Sequence, residues 1–183
     1  MNPSEPDSFS CAIEGKREWE RRVLSAVSKP ERFAAIIDRL VAPFRNREVH
    51  LVAAFEALGF PFGAGAAQAL NAGLLLIRKT RCDEISPEFE TESIQDYSGE
   101  LKAFKILKSA VPKASRVLII DDYLETGGQL RSAVNLLHRL GAEILGASFI
   151  KRATSAKLDL SFFSPYTLHD LGTDACELVP IVT

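Results

Sequence analysis

Cysteine is scarce in this chain. Cys11, Cys82 and Cys176 are odd in number and far apart. Neither a disulfide frame nor a zinc site is expected, and a reducing compartment such as the cytoplasm is. Long apolar runs are missing too: none approaches the roughly 18 residues that a bilayer-spanning helix needs. The opening residues, Met1 to Ser8, carry no basic-then-apolar pattern of a secretory leader. Net charge is only −2, which argues against nucleic acid or a membrane surface as a partner. His50, His138 and His169 stand at no metal-ligand spacing. Two nucleotide signatures are absent as well. No G-x-x-x-x-G-K-[ST] occurs, and no G-x-G-x-x-G follows a strand-like run, so a P-loop NTPase and a dinucleotide fold are both disfavoured.

What is present is a chain of 183 residues, 46% apolar, enough for one domain with a sizeable core. Residues 1–17 read as a polar arm and 18–183 as a single domain. Ser28-Lys29-Pro30-Glu31 reads as a helix start, with Ser28 capping and Glu31 reaching back. Phe33, Ile36, Ile37, Leu40 and Val41 then follow at amphipathic helical spacing. Val49 to Ala54 predicts a strand, Phe55 to Phe60 a turn and Gly63 to Ala72 a helix. Leu74 to Ile77 predicts a second buried strand, which ends at Arg78-Lys79. From Cys82 to Glu100 there are seven acids and no Lys or Arg, which predicts a lid loop or hairpin. Leu101, Phe104, Leu107 and Val111 suggest a further helix. After Val117 to Ile120 comes a helix carrying Leu130, Ala133, Val134, Leu137 and Leu140, capped by Gly141, and then a strand over Ile144 to Ile150. This alternation implies an α/β fold, a mainly parallel twisted sheet with flanking helices.

The densest chemistry lies between Arg116 and Arg131, which read R-V-L-I-I-D-D-Y-L-E-T-G-G-Q-L-R. An apolar strand runs into two carboxylates, Asp121 and Asp122. A loop ending in Thr126-Gly127-Gly128 follows, and then a helix. The glycines can take backbone angles closed to other residues, so successive N–H groups can face one concavity and hold an anion. The helix adds its dipole and its unpaired N–H donors, and Thr126 adds a hydroxyl. Each charge-assisted bond to a phosphate is worth about 1.5–3 kcal/mol. The two aspartates suit ribose hydroxyls or, directly or through water, a Mg²⁺ ion.

The segment Val117 to Leu130 resembles the phosphoribosyl-pyrophosphate signature of the type I phosphoribosyltransferases, in particular the adenine-specific branch. Phe55-Glu56-Ala57-Leu58-Gly59-Phe60-Pro61-Phe62-Gly63 resembles that family's E-A-R-G-F-x-F-G turn, and Leu74 to Lys79 its strand ending in Arg-Lys. Asp96-Tyr97 stands near the place of the family's Glu-Tyr-Gly. The resemblance covers about residues 20 to 170. It implies transfer of a phosphoribosyl group from phosphoribosyl pyrophosphate to a heterocyclic base, with Mg²⁺ and release of pyrophosphate. A nucleoside monophosphate is the product and a second possible ligand.

Carried over residue by residue, the resemblance gives the 5′-phosphate to Thr126, Gly127, Gly128, Gln129 and Leu130. It gives the ribose and metal to Asp121 and Asp122, and a base nitrogen to Glu125. Glu56, Ala57, Leu58 and Gly59 would face the pyrophosphate, with Arg78 and Lys79 as cations there, as in homodimeric relatives. Trp19 and Arg21 fall where relatives hold the base, and Phe162-Phe163 resembles a C-terminal aromatic stretch. The chain departs from the pattern at Leu58, where the family has Arg, at Glu125, where the adenine branch has a small residue, and at Gln129, where it has Thr.

Overall fold

Two apolar runs, Leu51–Phe55 (β1) and Arg116–Leu124 (β5), lie side by side and parallel in the middle of a seven-stranded sheet. The computed structural model describes residues 8–80, 86–95, 101–152 and 167–170. The chain divides after Ile36 into two compact units. One holds α1 (Ser8–Val27) and the first part of α2 (Pro30–Val41). The other runs from Ile37 through the whole sheet. The expected polar arm is therefore helical from Ser8 onward. No helix among the described residues is long and apolar enough to cross a membrane.

In the sheet-bearing unit the remaining elements follow in order: α3 (Gly59–Leu70), β2 (Gly73–Thr80), β3 (Phe89–Gln95), β4 (Leu101–Leu107), then β5, α4 (Gly128–Arg139), β6 (Glu143–Arg152) and β7 (Thr167–Asp170). The strand order is β3-β4-β2-β1-β5-β6-β7. β2, β1, β5, β6 and β7 are parallel, and β4 and β3 extend the β2 side antiparallel. The mainly parallel sheet expected from the alternation of elements is thus present, with an antiparallel hairpin added at one edge.

Strand periodicity sorts the core into two layers. Ala53, Phe55, Val117, Ile119, Leu75 and Ile77 join Leu130, Ala133, Val134 and Leu137 of α4 in one cluster. The alternate residues Val52, Ala54, Leu118 and Ile120 are equally buried and fall outside that cluster. α3 lies against β1 and β5, and there Gly63 meets Ala54 so closely that an added Cβ would sit 2.3 Å from the alanine methyl. Each buried Val, Leu, Ile or Phe contributes about 1.5–3 kcal/mol relative to exposure. α4 ends as expected: Gly141 has φ +77°, and the amides of Gly141 and Ala142 donate to the carbonyls of His138 and Leu137.

Three local expectations are corrected. Residues 101–107 are a strand, not a helix. Leu101, Phe104 and Leu107 have helical spacing, but so short an apolar run fits either period, and pairing on both sides with β2 and β3 decides it. α3 begins at Gly59, four residues ahead of the expected Gly63. Ser28 does not cap α2: its hydroxyl donates back to the carbonyl of Ser25 (2.8 Å), and the carbonyl of Lys29 receives the first amides, with Pro30 opening the helix.

Candidate active site

The chain leaves β1 for β2 on one side, through α3, and leaves β5 for β6 on the other, through α4. β1 and β5 are neighbours, so their carboxyl ends border the point where the strand order reverses. In open α/β sheets that crevice is where ligands bind. Both motif-bearing turns emerge there, residues 56–58 after β1 and 125–127 after β5.

The first turn is fastened to β2. The amide of Glu56 continues the ladder to the carbonyl of Ile77 (3.1 Å). Its carboxylate Oε2 accepts from the backbone N–H of Lys79 (3.1 Å) and from Arg78 Nε (3.4 Å). Glu56 therefore holds the Arg78-Lys79 end of β2 beside β1. The Glu56–Ala57 peptide bond is cis. Leu58 is half-buried at the head of α3.

Asp121 is 5% exposed. Its Oδ1 accepts from the backbone N–H of Asp122 (3.0 Å), and a Cβ at Gly59 would come within 2.7 Å of the same oxygen. The family-like glycine is needed here because a buried carboxyl occupies the space. Burial, and then the adjoining Asp122 carboxylate, push the Asp121 carboxyl well above the ordinary range, while the Asp122 amide and the charge of Lys79 pull it back. Asp122 is partly exposed.

The second turn has the conformation its glycines allow. Gly127 takes φ +81°, ψ −2° and caps α4 without a side-chain bond. The first helical bond runs from the amide of Arg131 to the carbonyl of Gly127 (2.8 Å), so the amides of Gln129 and Leu130 precede the ladder and are available as donors. Thr126 Oγ1 lies 3.5 Å from the amide of Gly128. Residues 125–130 line a small cavity, about 50 Å³, together with Phe55, Asp121, Tyr123, Leu124 and Phe149.

The fold thus gathers at one sheet edge the turn Glu56 to Gly59, Arg78 and Lys79, the acid pair, and the loop from Glu125 to Leu130. Trp19 and Arg21 belong to the other unit, on α1, where Trp19 is buried and Arg21 exposed. Cys82, Asp83 and Glu84 of the expected lid, Asp96-Tyr97, Glu100 and Phe162-Phe163 lie outside the described residues. Three acids of that stretch are described: Glu88, whose carbonyl accepts from the amide of Lys108 (3.0 Å), and Glu90 and Glu92, which lie on β3 and are bound by Arg139 and Asn135 of α4.

Several lining residues escape motif reading. Phe55 reads in the sequence only as the first residue of a turn, whereas the structure makes it the last residue of β1. Tyr123 sits inside the signature and lines the cavity, but its residue type carries no phosphate or ribose chemistry there. Phe149 faces the site because β6 pairs with β5 in a register that sets it opposite Asp121, and no local signal in the sequence reveals that.

Comparison with known proteins agrees with this geometry. Residues 25–166 match the model of the phosphoribosyl transferase domain. The adenine phosphoribosyltransferase of Koribacter versatilis is 38% identical over 128 residues, covering 70% of this chain and 69% of the relative. The crystal structure of adenine phosphoribosyltransferase from Rhodothermus marinus superposes with a TM-score of 0.70 at 28% identity, covering 79% of this chain and 81% of that one. The Saccharomyces cerevisiae enzyme, complexed with an imino-altritol 1,6-bisphosphate and adenine, gives 0.67 at 27%, covering 81% and 82%. With the family match over residues 25–166, the identity to these relatives and the superposition in agreement, this chain belongs to the type I phosphoribosyltransferase family of pentosyl-transferring enzymes.

Proposed function

We propose that the protein transfers 5-phosphoribosyl from phosphoribosyl pyrophosphate to a purine-like base, adenine or an analogue, releasing pyrophosphate. The observation that carries this reading is the meeting, at one switch point, of a glycine-hinged anion cradle, a carboxylate pair and the Arg78-Lys79 strand end held by Glu56. The amides at the head of α4 and the Thr126 hydroxyl hold the 5′-phosphate. Asp122 takes the ribose hydroxyls. Asp121, buried, with its carboxyl raised by burial and by its neighbour, sets the position of Asp122. As the bond from C1 to the pyrophosphate oxygen breaks, its electron pair leaves with the pyrophosphate, whose charge faces Arg78 and Lys79. A ring nitrogen of the base forms the new bond to C1, and Glu125 accepts the proton it sheds. Among the described residues no three metal-ligating side chains converge. The acid pair fits a Mg²⁺ ion only if substrate oxygens and water complete its shell, as this ion prefers. When bound, the ion would neutralise pyrophosphate charge.

The bisphosphate analogue and adenine held by the yeast relative support the substrate class. A homodimer acting in the cytoplasm completes the proposal. The test is a screen of purine bases for base-dependent release of pyrophosphate. Asp122→Asn is expected to lower kcat/KM by about 10²-fold or more, the scale of a lost charge-stabilising group. No turnover with any purine base rejects the reading.

One observation favours a second reading. Leu58 stands where an arginine fork would grip phosphate oxygens, so a protein that binds sugar phosphates without chemistry also fits the site. Saturable binding of ribose 5-phosphate with no pyrophosphate release would single it out.

A further inference from the structure

α4 carries the anion cradle at its first turn and a set of ion pairs at its last. Arg139 Nε donates to Glu90 Oε1 (2.6 Å), Nη1 to Glu92 Oε2 (2.7 Å) and Nη2 to the carbonyl of Thr91 (2.8 Å). One turn earlier, Asn135 Nδ2 donates to Glu92 Oε1 (2.7 Å). Lys108 approaches Glu90 from the β4 side at 3.8 Å. A planar guanidinium spread over two carboxylates and a carbonyl fixes a strand in direction as well as place. The two carboxylates are only 23% and 22% exposed, so water screens this clasp less than an ordinary surface pair.

The spacing sets a register. Four residues of helix, Asn135 to Arg139, advance about 6 Å. Two residues of strand, Glu92 to Glu90, advance about 6.6 Å in the opposite sense. α4 and β3 therefore run antiparallel and in step. Extended from the clasp toward the head of the helix, the same step brings Gln95, the last residue of β3, level with Gly128. The clasp thus fixes how far β3 reaches along α4 toward the level of the cradle, although Arg139 lies about 16 Å along the helix from Gly128.

We propose that Arg139, with Asn135, is a positioning residue for the phosphorylated substrate, acting through β3. The assignment rests on the phosphoribosyl reading above. None of these side chains touches the site, and neither the signature nor the family-like turn includes them.

The experiment compares wild type with Arg139→Met, Arg139→Lys and the pair Glu90→Gln/Glu92→Gln. Hydrogen exchange over 89–95 is followed with and without ribose 5-phosphate, alongside steady-state kinetics. Arg139→Met and the double glutamine variant are each expected to speed exchange in β3 and to abolish its protection by ribose 5-phosphate. Both should raise KM for phosphoribosyl pyrophosphate about 3–10-fold with kcat within twofold. Arg139→Lys, a point charge that cannot span both acids, should fall between. Combining Arg139→Met with the glutamines should add nothing further. If β3 exchange is unchanged, or if it rises while ribose 5-phosphate binds as before, the proposal is overturned. A wild type without transferase activity rejects the phosphoribosyl reading, and the exchange measurements then still decide the clasp.

Discussion

The acid pair is asymmetric in a way that its two letters hide. Asp121 is buried against Gly59 and its carboxyl is raised, chiefly by desolvation and then by Asp122. A carboxyl whose folded pKa lies above its unfolded value contributes stability below the unfolded value and loses it as pH rises through the folded one. Wild type should therefore lose stability relative to Asp121→Asn as pH rises above the ordinary carboxylate range, and the gap should level once Asp121 is ionised in the fold. Melting temperature against pH for both proteins checks this, and parallel curves would refute it. Gly127 gives a second test. At φ +81° an alanine costs about 1–2 kcal/mol, and the strain falls on the cradle. Gly127→Ala should weaken ribose 5-phosphate binding by more than its loss of stability alone explains, as calorimetry of the folded variant would show.

Among elements, α3 and α4 solve different packing problems. α3 is glycine- and alanine-rich because it lies close on the sheet. A Cβ at Gly63 would meet the Ala54 methyl at 2.3 Å on a central strand that cannot yield, whereas one at Gly65 would meet the side-chain end of Ile37, which can rotate away. Gly63→Ala should destabilise by about 1–3 kcal/mol and Gly65→Ala by clearly less, read from denaturant midpoints at equal slope. Equal effects would contradict this packing. The legibility of the elements follows the same physics. β1, β5 and β6 read correctly because a strand buried on both faces is a continuous apolar run between turns. β4 was misread because Leu101, Phe104 and Leu107 satisfy a helical period over a span too short to test it. The acids of β3 stand in a stretch that reads as a lid loop or hairpin, and β3 does pair antiparallel with β4. On the folded protein Glu90 and Glu92 are held by a cation 47 and more residues away, which no window along the chain contains.

At the scale of the molecule, the site exists because two neighbouring strands send their connections in opposite directions. The half proposed to take phosphate was legible, because Asp121 to Leu130 is contiguous and its conformation follows from local backbone chemistry. The half proposed for pyrophosphate is assembled from β1 and β2, and the contact that joins them, Glu56 on the strand end Arg78-Lys79, spans 22 residues and more. A ligand that binds only the folded form at one hundred times its Kd adds about 2.7 kcal/mol, roughly 5–11 °C for a chain of this size. Ribose 5-phosphate should produce such a shift in wild type, and Leu58→Arg should enlarge the corresponding shift with pyrophosphate. No shift with either ligand would remove the proposed site.

The sequence by itself determined the fold class, the family and the glycine-hinged turn before α4, because strand burial, the signature motif and the Gly141 cap are properties of neighbouring residues. Tertiary structure alone decided that Asp121 is buried with its carboxyl raised, that Phe149 stands opposite it on the neighbouring strand, and that β3 is clasped to α4. Each of these depends on desolvation or register between segments far apart in the chain, and such contacts acquire their energy only when the sheet has closed around them.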